Sequence, residues 1–248
     1  MSLALATVRA GEPEIFTSLQ GEGPSAGRPS IFVRLSRCNL ACEWCDTAYT
    51  WRFSGDNRPH RDGVAFDRAA NQVVLDEAAV AALILDMPGD RLVVTGGEPL
   101  LQGTALARLL DLLHAHRPAL HVEVETNGTV APHPSLRPLV DQFNISPKLA
   151  HSGNPASLAL LPERLADFAA DACSFFKFVI AEPADFDEVL RLQAEYAIPG
   201  ERLFVMPEGT SSEVVRLRSV WLADLACRHG LRFSDRLHIH LYGDTRGT

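Results

Sequence analysis

Hydrophobic and polar positions along this chain follow two alternating rhythms. Short runs of β-branched and aromatic residues predict strands at Ser30–Ser36 (SIFVRLS), Arg91–Thr95 (RLVVT) and His121–Thr126 (HVEVET). Further strands are predicted at Gln142–Ser146 (QFNIS), Ser174–Ile180 (SFFKFVI) and Arg202–Met206 (RLFVM). Longer stretches with apolar residues three and four apart predict helices at Asp76–Asp86, Thr104–Arg117, Leu160–Ala170, Ala184–Tyr196 and Ser211–His229. Leu106, Leu109, Leu110 and Leu113 fall at i, i+3, i+4 and i+7, one apolar face. Asp76 and Ser211 have the chemistry of N-caps, and Gly230 that of a helix stop.

Repeated strand–helix units imply a mainly parallel sheet with right-handed crossovers. Six such units are fewer than the eight of a closed barrel, so the expectation is an α/β fold, a partial, open (β/α)6-type barrel. Ligands of such folds bind at the carboxyl ends of strands. The unusual loops fall there: a cysteine-rich turn after the first strand, GGEP (Gly96–Pro99) after the second, and ETNG (Glu125–Gly128) closing the third. SPK (Ser146–Lys148) closes the fourth, and MPEG (Met206–Gly209) the sixth. The stretch 48–74 is polar and reads as an insertion or lid beside the cysteine turn; residues 231–248 read as a C-terminal extension of one domain spanning 1–248.

Composition adds limits. The chain has 248 residues, 46% hydrophobic, enough for a full core. A net charge of −8 argues against a general nucleic-acid or anionic-membrane binder. No apolar run reaches the length of a membrane span, and MSLALATVRAGEPEIF lacks the basic start and long apolar run of a secretory signal. The expected compartment is the cytoplasm, where clustered cysteines favour metal binding over disulfides.

Three of the five cysteines, Cys38, Cys42 and Cys45, are spaced C-x3-C-x2-C. Three thiolates at this density suit zinc or an iron–sulfur cluster, and the open fourth position favours a catalytic centre. A zinc knuckle completed by His151, His238 or His240 is the rival arrangement. Cys173 and Cys227 read as buried small hydrophobes.

The cysteine spacing after a first strand, with TGGEP at Thr95–Pro99 after the next, resembles the radical S-adenosylmethionine superfamily. EIFTSLQGEG (Glu14–Gly23), CDT (Cys45–Thr47), ETNGT (Glu125–Thr129) and SPK narrow the resemblance to the 7-carboxy-7-deazaguanine synthases. It implies a [4Fe–4S] cluster on Cys38, Cys42 and Cys45, its fourth iron chelated by S-adenosylmethionine. It places Trp44, Cys45, Asp46, Gly97, Ser146, Pro147 and Lys148 around that cofactor, and Mg2+ on Thr47. Leu19, Gln20, Gly21, Arg34, Thr95, Glu125 and Thr248 are the implied contacts of the substrate, 6-carboxy-5,6,7,8-tetrahydropterin. Arg34 also stands out by itself: an arginine inside an apolar strand is costly to bury unless paired, and its fork suits a carboxylate.

The implied reaction begins with reductive cleavage of S-adenosylmethionine to methionine and a 5′-deoxyadenosyl radical. Hydrogen removal from the substrate, ring contraction and loss of ammonia then give 7-carboxy-7-deazaguanine, for queuosine and related deazapurines. No residue is assigned as an acid or base. The expected partners are a second copy of the chain, through Phe175, Phe176 or the Ser211–His229 helix, and an electron donor such as a flavodoxin. The rival enzyme is a glycyl-radical activase; the rival outside enzymes is a zinc-stabilised binding module.

Overall fold

The computed structural model describes residues 2–248. The chain opens with β1 (Ser2–Arg9), β2 (Glu12–Pro13), β3 (Ile15–Leu19) and β4 (Pro29–Leu35). After the cysteine loop come α1 (Arg68–Asn71), β5 (Gln72–Asp76), α2 (Glu77–Leu85), β6 (Arg91–Gly96), α3 (Gly103–His116) and β7 (His121–Thr126). Then follow β8 (Gln142–Ile145), α4 (Ala156–Ala159), α5 (Pro162–Ala170), β9 (Ser174–Ile180) and α6 (Pro183–Tyr196). The chain finishes with β10 (Leu203–Pro207), α7 (Ser212–His229), β11 (Arg232–Phe233) and α8 (Leu237–Tyr242).

Among the described residues the strands form one open sheet in the order β11-β10-β9-β8-β7-β6-β4-β1-β2, with β3 on β4 and β5 on β1. From β4 to β10 every neighbouring pair is parallel, which is the six-unit open barrel expected from the sequence. The Asp76 carboxylate caps α2 by accepting from Ala79 N at 2.7 Å, and Ser211 caps α7 through Val214 N at 3.3 Å. Gly230 ends α7 at φ +66°, a conformation that glycine adopts without strain.

The strands alternate along their length. Leu92 and Val94, Val122 and Val124, Phe143 and Ile145, and Phe176 and Phe178 are fully buried in the core with the Leu106–Leu113 face of α3. The residues between them point to the other face, and on β7, β8 and β9 these are Glu123, Glu125, Gln142, Asn144 and Lys177. The concave side of the barrel is therefore polar.

Several expectations need correction. The stretch 48–74, read as a polar insertion or lid, is partly buried and partly strand. Tyr49, Trp51 and Phe53 are buried, Phe53 bridges Phe66, and residues 72–74 belong to β5, which pairs antiparallel with β1. The N-terminal segment is itself a strand, its Leu3 and Leu5 fully buried. Within 231–248 lie β11 and α8, which periodicity did not reveal because both are short. Cys227 is exposed and Cys173 half-buried, so neither is a core residue. Phe176 is sealed in the core and Phe175 packs against Phe204, which takes Phe176 out of any interface.

Candidate active site

The carboxyl ends of the strands surround a cavity of about 450 Å³. The cysteine loop leaves β4 through Arg37, a non-glycine residue in the left-handed region at φ 78°. Two backbone bonds from the next strand's end pin this turn: Gly97 N donates to Leu35 O at 3.0 Å and Glu98 N to Arg37 O at 2.8 Å. Gly97 has no room for a side chain, because a Cβ there would lie 2.1 Å from Arg37 O. This is the local reason for glycine in the GGEP turn.

Each of the three thiols has an N–H donor from a different part of the chain. Asn154 Nδ2 donates to Cys42 Sγ at 3.3 Å, Trp51 Nε1 to Cys45 Sγ at 3.4 Å, and Asn127 Nδ2 lies 3.9 Å from Cys38 Sγ. Burial pushes the Cys38 thiol up to about 12, Cys42 up to about 11, and Cys45 also upward. Thiols this poorly solvated become thiolates only when a cation binds them, and N–H donors to sulfur are the outer support that iron–sulfur thiolates use. The donor set fits a cluster. The histidines that a zinc knuckle would need are engaged elsewhere. His151 Nε2 meets Val179 O at 3.0 Å, His240 Nε2 meets Asp235 at 3.1 Å, and His238 Nε2 lies 3.8 Å from Glu22.

Beside the cysteines, Trp44 stacks on His151 with ring centroids 5.3 Å apart, and Lys148 Nζ lies 5.5 Å from the indole centroid. Lys148 Nζ donates to Ser146 Oγ at 2.8 Å. Trp44 Nε1 is buried without a hydrogen-bond partner among the described residues. Thr47 does not cap the turn that follows it with its side chain; its hydroxyl lies 3.7 Å from Cys45 Sγ. Asp46 accepts from Arg236 at 2.6 Å, and although burial pushes its carboxyl up, Arg236 outweighs that and holds it below the usual range.

The far wall is a chain of buried charges. Arg34 donates from Nε to Glu14 at 2.8 Å, and Tyr49 donates to both oxygens of the same carboxylate. Lys177 Nζ bridges Glu22 at 2.6 Å and Glu125 at 2.9 Å, and Arg236 Nε reaches Glu22 at 3.0 Å. Gln20 Nε2 and Asn144 Nδ2 also donate to Glu125, at 3.2 and 3.0 Å. Thr95 sits beside Arg34 in the β4–β6 register.

The cavity brings together Leu19, Gln20, Gly21, Arg34, Cys38, Cys42, Trp44, Cys45, Asp46, Thr47, Thr95, Gly97, Glu125, Ser146, Lys148 and Thr248. Pro147 is buried behind this wall and does not line it. The sequence reading missed Glu22, Lys177, Arg236, Glu98, Asn127 and Asn154. A signal existed for Lys177, a lysine inside an apolar strand exactly as unusual as Arg34. Glu98 stood inside GGEP; it is fully buried and accepts from Asn127 N, Leu100 N and Thr126 Oγ1 at 2.8, 3.0 and 2.8 Å.

The chain is similar to known proteins in sequence and in fold. Residues 19–146 match the 4Fe-4S single cluster domain. The 7-carboxy-7-deazaguanine synthase of Pyrobaculum aerophilum is 39% identical over 245 residues, covering 98% of this chain and 99% of its own. That of Halobacterium salinarum is 36% identical, covering 95% and 91%. In fold, the chain is similar to QueE from Escherichia coli (TM-score 0.66, 24% identity, 95% of each chain). It is also similar in fold to Streptococcus suis SuiB bound to S-adenosylmethionine (TM-score 0.50, 15% identity, 80% of this chain and 48% of that one). Near-full-length identity to the first two relatives, with three donor-supported cysteines at the barrel mouth, means that the chain belongs to the 7-carboxy-7-deazaguanine synthase family.

Proposed function

We propose that the chain converts 6-carboxy-5,6,7,8-tetrahydropterin to 7-carboxy-7-deazaguanine with release of ammonia, as a radical S-adenosylmethionine lyase of 7-deazapurine biosynthesis. The observation that carries this reading is the cavity itself. The cysteines occupy one wall, and a charged wall of the size and polarity of a small heterocyclic acid faces them. A glycyl-radical activase would need room for a docked polypeptide segment, and buried ion pairs close this floor instead.

The cluster and S-adenosylmethionine, when bound, supply one-electron cleavage of a carbon–sulfur bond. The chain's residues do the rest. Cys38, Cys42 and Cys45 would hold the cluster, with Asn127, Asn154 and Trp51 supporting their sulfurs. Gly97 lets the backbone approach the cofactor closely, Trp44 offers an unpaired N–H, and Ser146 with Lys148 presents a hydroxyl and an ammonium to its polar groups. Arg34, with only Nε committed to Glu14 among the described residues, is free to meet the substrate carboxylate with its terminal nitrogens. Gln20, Thr95, Glu125 and the tail at Thr248 contact the remaining polar edge. Thr47 would supply one hard oxygen to a bound Mg2+ ion.

We read the chain as one domain, because a single sheet takes strands from both ends of the sequence. A homodimer formed on the exposed side of α7, where Leu217 and Val220 are 63% and 73% exposed, and a flavodoxin-type donor complete the proposal. No helix of the described residues is long and apolar enough to cross a membrane.

The test is anaerobic reconstitution and turnover with the carboxylated pterin, reading ammonia and the deazapurine chromophore. Cys42→Ala is expected to abolish iron binding and product. Thr47→Ala is expected to keep the iron and lose most of the response to Mg2+. A reconstituted wild type that cleaves S-adenosylmethionine yet leaves the pterin intact would remove the substrate assignment.

A further inference from the structure

The polar face of the barrel contains one arrangement that stability does not explain. Lys177 lies in the middle of β9, its side chain 6% exposed, between Phe176 and Phe178, which face the core. Its ammonium contacts two carboxylates at once, Glu22 Oε2 at 2.6 Å and Glu125 Oε2 at 2.9 Å. These carboxylates come from distant segments, the loop after β3 and the end of β7. Burying a lysine between two acids is costly, and apolar replacements of such groups are often neutral or stabilising. Three ionised groups kept together in a cavity wall therefore point to recognition.

The acceptor count shows what is recognised. A carboxylate offers about four lone-pair positions. Glu22 uses one for Lys177 and one for Arg236. Glu125 uses three, for Lys177, Gln20 and Asn144. About three acceptor positions remain beside one ammonium, and they suit a ligand edge carrying several N–H donors.

We propose that Lys177 is a positioning residue for substrate selection, its ammonium holding Glu22 and Glu125 side by side as charged acceptors for the N–H-rich edge of the pterin. This rests on the substrate reading above. Charge in the neighbourhood supports it. Lys177 faces Glu22 and Glu125 directly. Arg236 and His238 approach Glu22 from the start of α8, and Glu123 stands two residues before Glu125, paired with Arg91. Asp46 shares Arg236 with Glu22 and stands near it as a like charge. Burial pushes Glu22 up, but Lys177, Arg236 and His238 outweigh it and hold the carboxyl well below its usual range. Burial also raises Glu125, and there Lys177 only partly offsets it. Without the ammonium, two buried acids would share one site, and one of them would take up a proton near neutral pH. A protonated acid loses the charge that makes it a strong acceptor.

The experiment is equilibrium dialysis of pterin-6-carboxylate against reconstituted protein carrying S-adenosylmethionine, from pH 6 to 7.5. Wild type, K177M, K177R and the double variant E22Q/K177M are compared; the ligand's own ionisation is common to all four and cancels. K177M is expected to bind roughly tenfold or more weakly at pH 6, with the midpoint of its pH dependence moved up by about one unit or more. K177R keeps the charge and is expected to keep the wild-type midpoint. E22Q/K177M removes one acid along with the cation and is expected to return the midpoint toward wild type; it also serves if K177M alone does not fold. An equal loss at every pH in K177M, or a double variant with its midpoint still raised, overturns the proposal. A wild type that binds no pterin overturns the substrate reading, and the proposal with it.

Discussion

Gly97→Ala tests the link between the GGEP turn and the cysteine loop. A methyl group there would sit 2.1 Å from Arg37 O, 2.6 Å from Arg37 C and 3.0 Å from Cys38 Cβ. Real Cβ atoms essentially never come within 3.0 Å of another heavy atom, so the peptide entering Cys38 has to move by roughly 0.9 Å. The obstruction is backbone, already strained at Arg37 and tied by the Glu98 N bond, so it cannot rotate away. Overpacking of this kind costs about 1–3 kcal/mol, which for a chain of this size lowers Tm by about 2–12 °C. The larger effect is local, because Cys38 shifts relative to Cys42 and Cys45. Iron content after anaerobic reconstitution is expected to fall well below that of wild type. Gly11→Ala is the control. It forces alanine into the left-handed region, at φ +81°, a strain that Gly97 does not carry, but it meets nothing within 4 Å and lies in the β1–β2 turn. Its expected loss is about 1–2 kcal/mol with iron loading intact. If G97A loads iron as wild type does, or G11A loses iron to the same extent, the interlock between the two loops is not what shapes the site.

Arg236→Met strips Asp46 of its cation and leaves Glu22 with Lys177 alone, and is expected to destabilise by about 3 kcal/mol, read as a lower urea midpoint. Burial pushes the Glu98 carboxyl up to about 7 against three hydrogen-bond donors, above its ordinary 4.5. The folded state therefore holds an extra proton between those values, and stability present below pH 4.5 is lost as pH rises through about 7. Glu98→Gln is expected to remove on the order of 3 kcal/mol of that slope, measured by urea unfolding of the cluster-free protein at pH 4.5 and 7.5; an unchanged slope would rule Glu98 out as its source. Asn154→Ala deletes the N–H donated to Cys42 Sγ, and is expected to shift the cluster potential to more negative values in an EPR-monitored titration.

What sequence could and could not reveal divides along physical lines. The six parallel strands and the α3 face were legible because their apolar periods are long and regular, as Leu106, Leu109, Leu110 and Leu113 illustrate. The cysteines were legible because three thiols in eight residues have few other uses. The antiparallel edge formed by β1, β3 and β5 was not, because SLALATVR reads equally as strand or buried helix and QVVLD is too short to carry a period. Polarity misled at 48–74, where three buried aromatics are interleaved with charged residues. The charged wall was only half visible. Arg34 and Lys177 each stand out in an apolar strand, but their partners Glu14 and Glu22, and the Arg236 that shares Glu22, lie on segments whose meeting depends on the finished barrel.

The alternation of the central strands explains why the barrel keeps a cavity at all. Parallel sheets are usually apolar on both faces, and a barrel interior is then filled by branched side chains. Here β7 and β8 send apolar residues only toward the helices, and β9 keeps Lys177 on the cavity side beside Val179. The opposite face carries Glu123, Glu125, Gln142, Asn144 and Lys177, groups that tolerate burial only when hydrogen-bonded. Asn144 Nδ2 satisfies two of them together, donating to Glu123 at 3.2 Å and to Glu125 at 3.0 Å, and Gln142 Nε2 donates to Glu123 at 3.1 Å. The network locks the side chains against the wall and leaves the space above them open. A protein that needed only stability would gain by filling that space with leucine. The polar face forgoes that gain, and holds acceptors and an ammonium in place before any ligand arrives.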